Sequence, residues 1–198
     1  IDNGDFEFVK CNINDKNGNN NNNINAGESL NIDVTFNNKS NESYNNVKAV
    51  LRSRNELVTI TDSIAQIESI KANEKVSIEN VFAASVDSNV SPKTLLAFDV
   101  YFYNENDEEI SYLRVPVYSC GSEIEFSSFV IKNDDNGNGL LEAGETADLG
   151  IVLNNVGNEI AVGLIGNITT TNDKLTINNN KADFYSIGEK ASSTAFFN

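Results

Sequence analysis

Residues 134–155 read DDNGNGLLEAGETADLGIVLNN, an oxygen-rich loop followed by an alternating apolar segment. The first twelve of these residues fit the calcium-loop pattern D-x-[DN]-x-[DN]-G-x5-E without a gap. After Glu145, Ala147, Leu149, Ile151 and Leu153 alternate with Thr146, Asp148, Gly150 and Val152, which is closer to strand period than to helix period. We therefore expect the loop to join two β-strands, without the pair of helices that a calcium sensor opens and closes.

The spacing within this loop places a set of oxygen atoms around one point, and calcium takes about six to eight oxygen ligands. The candidate ligands are the side chains of Asp134, Asn136 and Asn138, the backbone carbonyl of Leu140, Glu142 directly or through water, and a bidentate Glu145. Gly139 lies where such a loop must turn sharply. The sequence therefore predicts calcium as the cofactor, acting as a structural clamp.

The chain contains one unit twice, because an offset of 117 residues places Glu28 on Glu145 and the match continues for about fifty residues. Within it, Leu30, Ile32, Val34 and Phe36 fall on Ala147, Leu149, Ile151 and Leu153. The segment Val58-Thr59-Ile60 falls on Leu175-Thr176-Ile177. We expect the two copies to share one fold.

The first copy has a related loop, residues 15–28, which reads DKNGNNNNNINAGE with two extra residues and Asn20 in place of the turn glycine. Its candidate calcium ligands are Asp15, Asn17, Asn19, Asn25 and Glu28. With fewer carboxylates than the second loop, it should attract a divalent ion less strongly. The alternative is an Asn-rich surface loop that binds no metal.

Short alternating runs separated by Asn-, Ser- and Gly-rich segments are typical of an antiparallel β-sandwich. In the first copy we predict strands at residues 6–13, 29–37, 47–53, 57–61, 75–82, 94–103 and 110–119. Ile64, Ile67 and Ile70 have helical spacing, which leaves that segment open between strand and loop. The expected fold is all-β, with tandem immunoglobulin-like sandwiches at residues 1–120 and 121–198.

The second sandwich is expected to be incomplete at its C-terminus, because the counterparts of the strands at 94–103 and 110–119 fall after Asn198. Either the parent protein continues, which we favour, or a strand from a partner completes the sheet.

Composition excludes several functions. A formal charge of -15 disfavours nucleic acid and anionic membrane surfaces as partners. No apolar run approaches the ~20 residues of a membrane span, so we expect no membrane insertion. The absence of histidine argues against Ser-His and Cys-His catalysis, so we expect no enzymatic activity in this segment.

The two cysteines, Cys11 and Cys120, are too far apart in sequence for a C-x-x-C motif. They are either a disulfide or two inert thiols. Because the first and last strands of the first copy should both end beside the first loop, we expect a disulfide.

The group Phe98, Tyr101, Phe102 and Tyr103 has two interpretations. It is either strand core with one exposed edge, which we favour, or a face on which sugars stack. A carbohydrate-binding module would require exposed aromatic side chains on one face.

The loop at 134–145, the strand after it and the Asn154-Asn155-Val156-Gly157 segment resemble the DxNGNGxxxPGE domains of large secreted bacterial proteins, which are similar to CARDB and other immunoglobulin-like modules. The usual proline before Gly-Glu is Ala26 or Ala143 here. Such modules accompany gingipain-like cysteine peptidases, subtilisin-like peptidases and surface adhesins. The resemblance implies the same calcium ligands in the second loop and carries over no catalytic residue.

Together these features predict a non-catalytic, calcium-stabilised stalk, spacer or adhesion module of a secreted or cell-surface bacterial protein. Its expected partners are calcium ions, other domains of the same chain, or a cell-surface protein or glycan. The alternatives are accessory domains of a secreted peptidase and a carbohydrate-binding module.

Overall fold

The computed structural model describes residues 3–198, which form fourteen strands and no helix. The strands are β1 (Asn3–Gly4), β2 (Phe6–Asn14), β3 (Ser29–Asn38), β4 (Tyr44–Ser53), β5 (Val58–Asp62), β6 (Ile64–Ile70), β7 (Lys75–Val86), β8 (Phe98–Tyr103), β9 (Glu109–Val115), β10 (Ile124–Lys132), β11 (Asp148–Asn155), β12 (Ala161–Asn167), β13 (Lys181–Ile187) and β14 (Ser192–Phe197). Over this described range there is no helix of the length and apolarity that a membrane span needs. The chain divides into two compact units after Cys120. The predicted all-β class is confirmed.

Unit 1 contains two antiparallel sheets, ordered β1-β9-β8-β4-β6 and β2-β3-β7-β5. Their apolar faces form one core, in which the rings of Phe6, Phe36 and Phe102 lie 4.7–5.0 Å apart between centroids. Phe6 and Phe36 come from one sheet and Phe102 from the other. Because burying a phenylalanine side chain contributes about 2 kcal/mol relative to exposure, this cluster is a major part of what holds the two sheets together.

The strands of unit 1 follow the predicted alternation. Along β3, Leu30, Ile32, Val34 and Phe36 are buried, because alternate side chains of a strand point to the same face. The segment with helical spacing is strand β6, which pairs along β4 and buries Ala65 and Ile70. Pairing with β4 therefore determines the strand conformation of this segment, although its isoleucines have helical spacing.

Unit 2 contains the sheets β10-β11-β14 and β12-β13. At the offset of the sequence repeat, β10, β11 and β14 correspond to β2, β3 and β7, while β12 and β13 correspond to β4 and β6. Its core contains Ala161, Phe184, Ile187, Ala195 and Phe197. Every strand pairing of unit 2 thus has its counterpart in unit 1.

One predicted equivalence is wrong, because Leu175-Thr176-Ile177 forms no strand although its counterpart Val58-Thr59-Ile60 lies in β5. In unit 1, β5 pairs with the C-terminal end of β7. The matching strand β14 ends at Phe197, before the corresponding positions. The segment therefore has no ladder partner, and Leu175 is 42% exposed.

A buried amide connects the two sheets of unit 1. Asn38, at the end of β3, is 1% exposed. Its Nδ2 donates to the carbonyls of Glu42 and Lys71 at 2.8 and 2.9 Å, and its Oδ1 accepts the N–H of Ser40 at 3.0 Å. Glu42 precedes β4 and Lys71 follows β6, so one side chain of the first sheet binds the turns at one end of the second.

Asn155 repeats this arrangement in unit 2, where it is also 1% exposed. Its Nδ2 donates to the carbonyls of Glu159 and Ile187 at 2.6 and 3.0 Å, and its Oδ1 accepts the N–H of Gly157 at 3.0 Å. Two of these partners, Glu159 and Gly157, match Glu42 and Ser40 at the repeat offset, and Ile187 lies one residue before the position that matches Lys71.

The predicted disulfide is not formed, because no disulfide joins Cys11 and Cys120. Cys11 lies opposite Val34, whereas Cys120 forms a bridge with Asn25, before β3 begins at Ser29. At about 3.4 Å per residue, the rise from Ser29 to Val34 is about 17 Å, and disulfide Cα atoms lie at most about 7 Å apart. The expected disulfide was wrong, and the cysteines give no support for an oxidising compartment.

Removing the amide of Asn38 should destabilise unit 1. Asn38→Ala leaves two carbonyls and one N–H without their partner, so we expect a loss of about 3 kcal/mol in the free energy of unfolding. Urea denaturation followed by circular dichroism measures it. Asn45→Ala, at an exposed position on β4, is the matched control and should change stability little. Equal stability of the two variants would contradict the role of Asn38.

The cysteines should react with a thiol-specific reagent. Burial, and then the negative charge of Asp33, raises the pKa of the Cys11 thiol to about 12, so little thiolate forms at neutral pH. Iodoacetamide without reductant should modify both cysteines of the unfolded chain, and should modify Cys11 slowly in the folded Cys120→Ser variant. An unfolded, unreduced chain that takes up no label would instead indicate a disulfide.

Candidate metal centre

The second loop, residues 133–147, connects β10 to the adjacent antiparallel strand β11. The ladder closes at its base with the pair Lys132 and Asp148. Asp148 accepts hydrogen bonds from the amides of Asn133 at 2.6 Å and Asn198 at 2.9 Å, which lower the pKa of its carboxyl group. The two ends of the loop are therefore held together by the sheet, as predicted for an inter-strand loop.

Two glutamates converge inside this loop. Glu142 Oε2 and Glu145 Oε1 each lie 2.7 Å from Nδ2 of Asn136. Glu142 Oε2 also accepts from Nδ2 of Asn138 at 3.1 Å. Four of the six predicted ligand residues thus meet around one small polar group.

The other two predicted ligands are held through backbone contacts. Asp134 Oδ2 accepts the N–H of Gly139 at 3.0 Å, and the N–H of Leu140 donates to Oδ1 of Asn138 at 2.8 Å. Gly139 has φ of 77°, a left-handed conformation that suits glycine at the predicted turn. Within residues 3–198, no three Asp, Glu or Cys side chains are gathered closely enough to hold a metal ion. The amides of Asn136 and Asn138 are therefore indispensable members of any donor set here.

The first loop satisfies its carboxylates with its own backbone. Asp15 is fully buried, and its two carboxylate oxygens accept the N–H groups of Asn21 and Asn22, each at 3.0 Å. Burial acts to raise the pKa of Asp15, but the hydrogen bonds from Asn22 and Asn21 outweigh it and lower the pKa below its usual 3.8.

Glu28 behaves in the same way. Its Oε1 accepts the N–H of Asn19 and its Oε2 that of Asn25, both at 3.1 Å. Nδ2 of Asn19 donates to Oδ1 of Asn25 at 2.9 Å, whereas Asn17 is exposed and takes no part in these contacts. Asn20 has φ of 59°, so it adopts the left-handed turn of Gly139, the conformation that asparagine tolerates best among other residues.

The first loop is also anchored in its core. Ile24 is 2% exposed, and its carbonyl accepts the N–H of Cys120 at 2.7 Å. Nδ2 of Asn25 donates to the carbonyl of Cys120 at 3.1 Å. Leu141, the counterpart of Ile24 at the repeat offset, is 46% exposed. The first loop is thus fixed by Ile24 and by its hydrogen bonds with Cys120, whose counterpart at the repeat offset falls after Asn198.

Charge separates the two loops further. Residues 134–145 contain four carboxylates and no lysine or arginine, whereas residues 15–28 contain two carboxylates and Lys16. Carboxylates held near one another without a cation repel, and a divalent ion relieves that repulsion. The second loop is therefore the better candidate for metal.

Sequence reasoning missed a polar cluster in unit 1. Asp99, on β8, is 1% exposed and accepts hydrogen bonds from Nε of Arg54, Nε of Arg114 and the hydroxyl of Tyr112. Burial acts to raise the pKa of Asp99, but its contacts with Arg114, Tyr112 and Arg54 lower it overall. The sequence signal that could have indicated this cluster is Asp99 itself, a carboxylate within the aromatic run of residues 98–103.

No family model matches the chain, and the search of curated proteins found no match. The candidate centre is therefore interpreted from its own residues.

Asp15 should make unit 1 sensitive to acid. Because its pKa is lower in the folded state, its contribution is present above the unfolded pKa of about 4 and is lost as pH falls through the folded value. Asp15→Asn should be less stable than wild type at pH 7 and should lose less stability between pH 5 and pH 2.5. Urea midpoints at each pH test this, with the exposed Asp62→Asn as control. Parallel pH curves for wild type and Asp15→Asn would contradict it.

Proposed function

We propose that the chain is a non-catalytic, calcium-stabilised structural module, serving as a stalk, spacer or adhesion segment of a secreted or cell-surface bacterial protein. The observation that carries the proposal is the convergence of Glu142 and Glu145 on the amide of Asn136, in a loop of four carboxylates without a cation. The absence of histidine supports a role without acid–base catalysis.

The donor set fits a hard cation. The residues that would hold calcium are Asp134, Asn136, Asn138, Leu140 through its carbonyl, Glu142 and Glu145. Rotation of the Asn136 amide exchanges its nitrogen for its oxygen, which converts the donor between the two glutamates into an acceptor. Bound calcium supplies two positive charges at this point, and the loop residues orient the oxygens and keep the ends of β10 and β11 in register.

The expected affinity favours an extracellular location. A site with Kd of about 0.1 mM, in about 2 mM calcium outside a cell, gains about 2 kcal/mol of folding stability by mass action. The much lower free calcium of a cytosol would leave such a site empty. We therefore place the module outside the cell, with calcium and neighbouring domains or cell-surface molecules as its partners.

The first loop is better described as a metal-independent version of the same turn. Backbone N–H groups bind both carboxylate oxygens of Asp15 and of Glu28. In the second loop they bind one oxygen each of Asp134, Asp135 and Glu145, so calcium would displace fewer existing bonds there. The two copies then order a long polar loop between adjacent strands in two ways, the first with backbone hydrogen bonds and the second with calcium.

Calcium titration by calorimetry tests the proposal. Wild type should show one site, because only the second loop combines converging carboxylates with uncompensated charge. Glu145→Gln should abolish the heat of binding, and Glu28→Gln, the same change at the matching position of the first loop, should retain it. Calcium should also raise the melting temperature of wild type and of Glu28→Gln, but not that of Glu145→Gln.

Two outcomes would reject the assignment. One is an isotherm that Glu145→Gln leaves unchanged, and the other is a single site that Glu28→Gln removes instead.

A further inference from the structure

The outer face of the β1-β9-β8-β4-β6 sheet concentrates positive charge. In a chain of formal charge -15, all three arginines, Arg52, Arg54 and Arg114, lie on or beside this face. Their strand neighbours Leu51 and Leu113 are buried in the core, so Arg52 and Arg114 point to the opposite side of the sheet. The placement is selective, since the rest of the molecule is acidic.

Asp99 holds two of these arginines in place. Its Oδ2 lies 2.5 Å from Nε of Arg54, and its Oδ1 lies 3.0 Å from Nε of Arg114. Asp99 is 1% exposed, whereas the side chains of Arg54 and Arg114 are 65% and 39% exposed. Each guanidinium has five N–H donors, so donors remain for a ligand beside the Nε contacts with Asp99 and the contact of Arg54 with Tyr101.

A row of aromatic and aliphatic side chains runs beside the arginines. Tyr112 on β9, Tyr101 on β8, Val50 on β4 and Ile64 on β6 are successive partners across the sheet. The Tyr101 and Tyr112 ring centroids are 5.0 Å apart, and the Arg52 guanidinium lies 4.8 Å from the Tyr101 ring. These tyrosines are half-buried, and Ile64 is 56% exposed. Aromatic and cationic groups are therefore interleaved on one surface.

A cleft continues this surface beyond Arg54. It has a volume of about 500 Å³ and is lined by Arg54, Asn55, Glu56, Leu57, Leu95 and Ala97. Leu95 is 48% exposed, so the cleft offers apolar contact next to a fixed guanidinium. The surface thus has both a platform and an adjoining recess.

The chemistry of this face selects among anionic ligands. Strand β8 pairs with β9 on one side and β4 on the other, so the face exposes side chains rather than unpaired backbone groups. An extended peptide binds best at a sheet edge, where its own N–H and C=O groups find partners. A sugar ring needs only aromatic faces and polar side chains, and its carboxylates match guanidinium geometry.

We propose that this face binds an acidic oligosaccharide, with pyranose rings packed on Tyr101 and Tyr112 and carboxylates paired with Arg52, Arg54 and Arg114. Charge complementarity is local, because Glu56 and Asp99 offset only part of the three positive charges and the remaining surface repels the ligand. Asp99 is a positioning residue that holds two guanidinium groups ready. The site is independent of the calcium loop, so either proposal can fail alone.

Binding of an oligomer of galacturonic acid tests the proposal, with a neutral glucose oligomer of equal length as the comparison ligand. Calorimetry in EDTA removes calcium bridging between the ligand and the acidic loops. Wild type should bind the acidic oligomer and not the neutral one. Because a charge-assisted contact is lost, Arg52→Gln should weaken binding about tenfold.

Two further variants locate the site. Tyr101→Leu keeps an apolar side chain but removes the ring, and should also weaken binding. Lys75→Gln makes the same charge change as Arg52→Gln at an exposed position on the other sheet, and should leave binding unchanged.

Several results would overturn the proposal. These are no binding of the acidic oligomer, equal binding of the neutral oligomer, or equal affinity of wild type, Arg52→Gln and Tyr101→Leu. Tighter binding of an acidic peptide or an RNA at the same face would replace the ligand class.

Discussion

Each unit depends on one buried asparagine amide that joins its two sheets. Asn38 and Asn155 each lie at the end of the second long strand of their copy and donate to two carbonyls. Asn38 accepts the N–H of Ser40, and Asn155 accepts those of Glu123 and Gly157. An apolar core alone does not fix the alignment of two sheets, since hydrophobic contact is non-directional. Directional bonds from a buried side chain specify one alignment, because any other leaves the same backbone groups desolvated and unpaired.

Once that alignment is set, the polar loop before the strand can diverge between copies. The first copy orders its loop from within, with a buried carboxylate, backbone donors and Ile24 in the core. The second leaves its loop exposed and rich in negative charge, with Glu142 and Glu145 drawn together by neutral amides. Under the proposed function, the second loop is the cation-dependent turn and the first, with two extra residues and fewer carboxylates, is its self-sufficient counterpart. Our proposal assigns calcium to the second loop, whose carboxylates accept fewer backbone hydrogen bonds.

Much of the fold was readable from local pattern. Alternation marked β3 and β11, and self-comparison predicted their equivalence, because both depend on residues close together in the chain. The features that the sequence left open or predicted wrongly depend on residues far apart in the chain. The helical spacing of Ile64, Ile67 and Ile70 gave way to pairing with β4. The segment 175–177 lacked a ladder partner, and Cys11 and Cys120 lie at different levels of β3. Asp99 was missed because its arginines come from positions 54 and 114, which only the sheet brings together.

The sequence by itself determined the all-β class, the duplication, the left-handed loop turns and the identity of the candidate ligands. These follow from period, spacing and the conformational preferences of Gly and Asn, which act over a few residues. Tertiary structure alone decided which carboxylates meet a backbone donor, which meet an arginine and which meet a neutral side-chain amide. Such outcomes depend on distance and burial between segments far apart in the chain, and electrostatic and hydrogen-bond energies change with both.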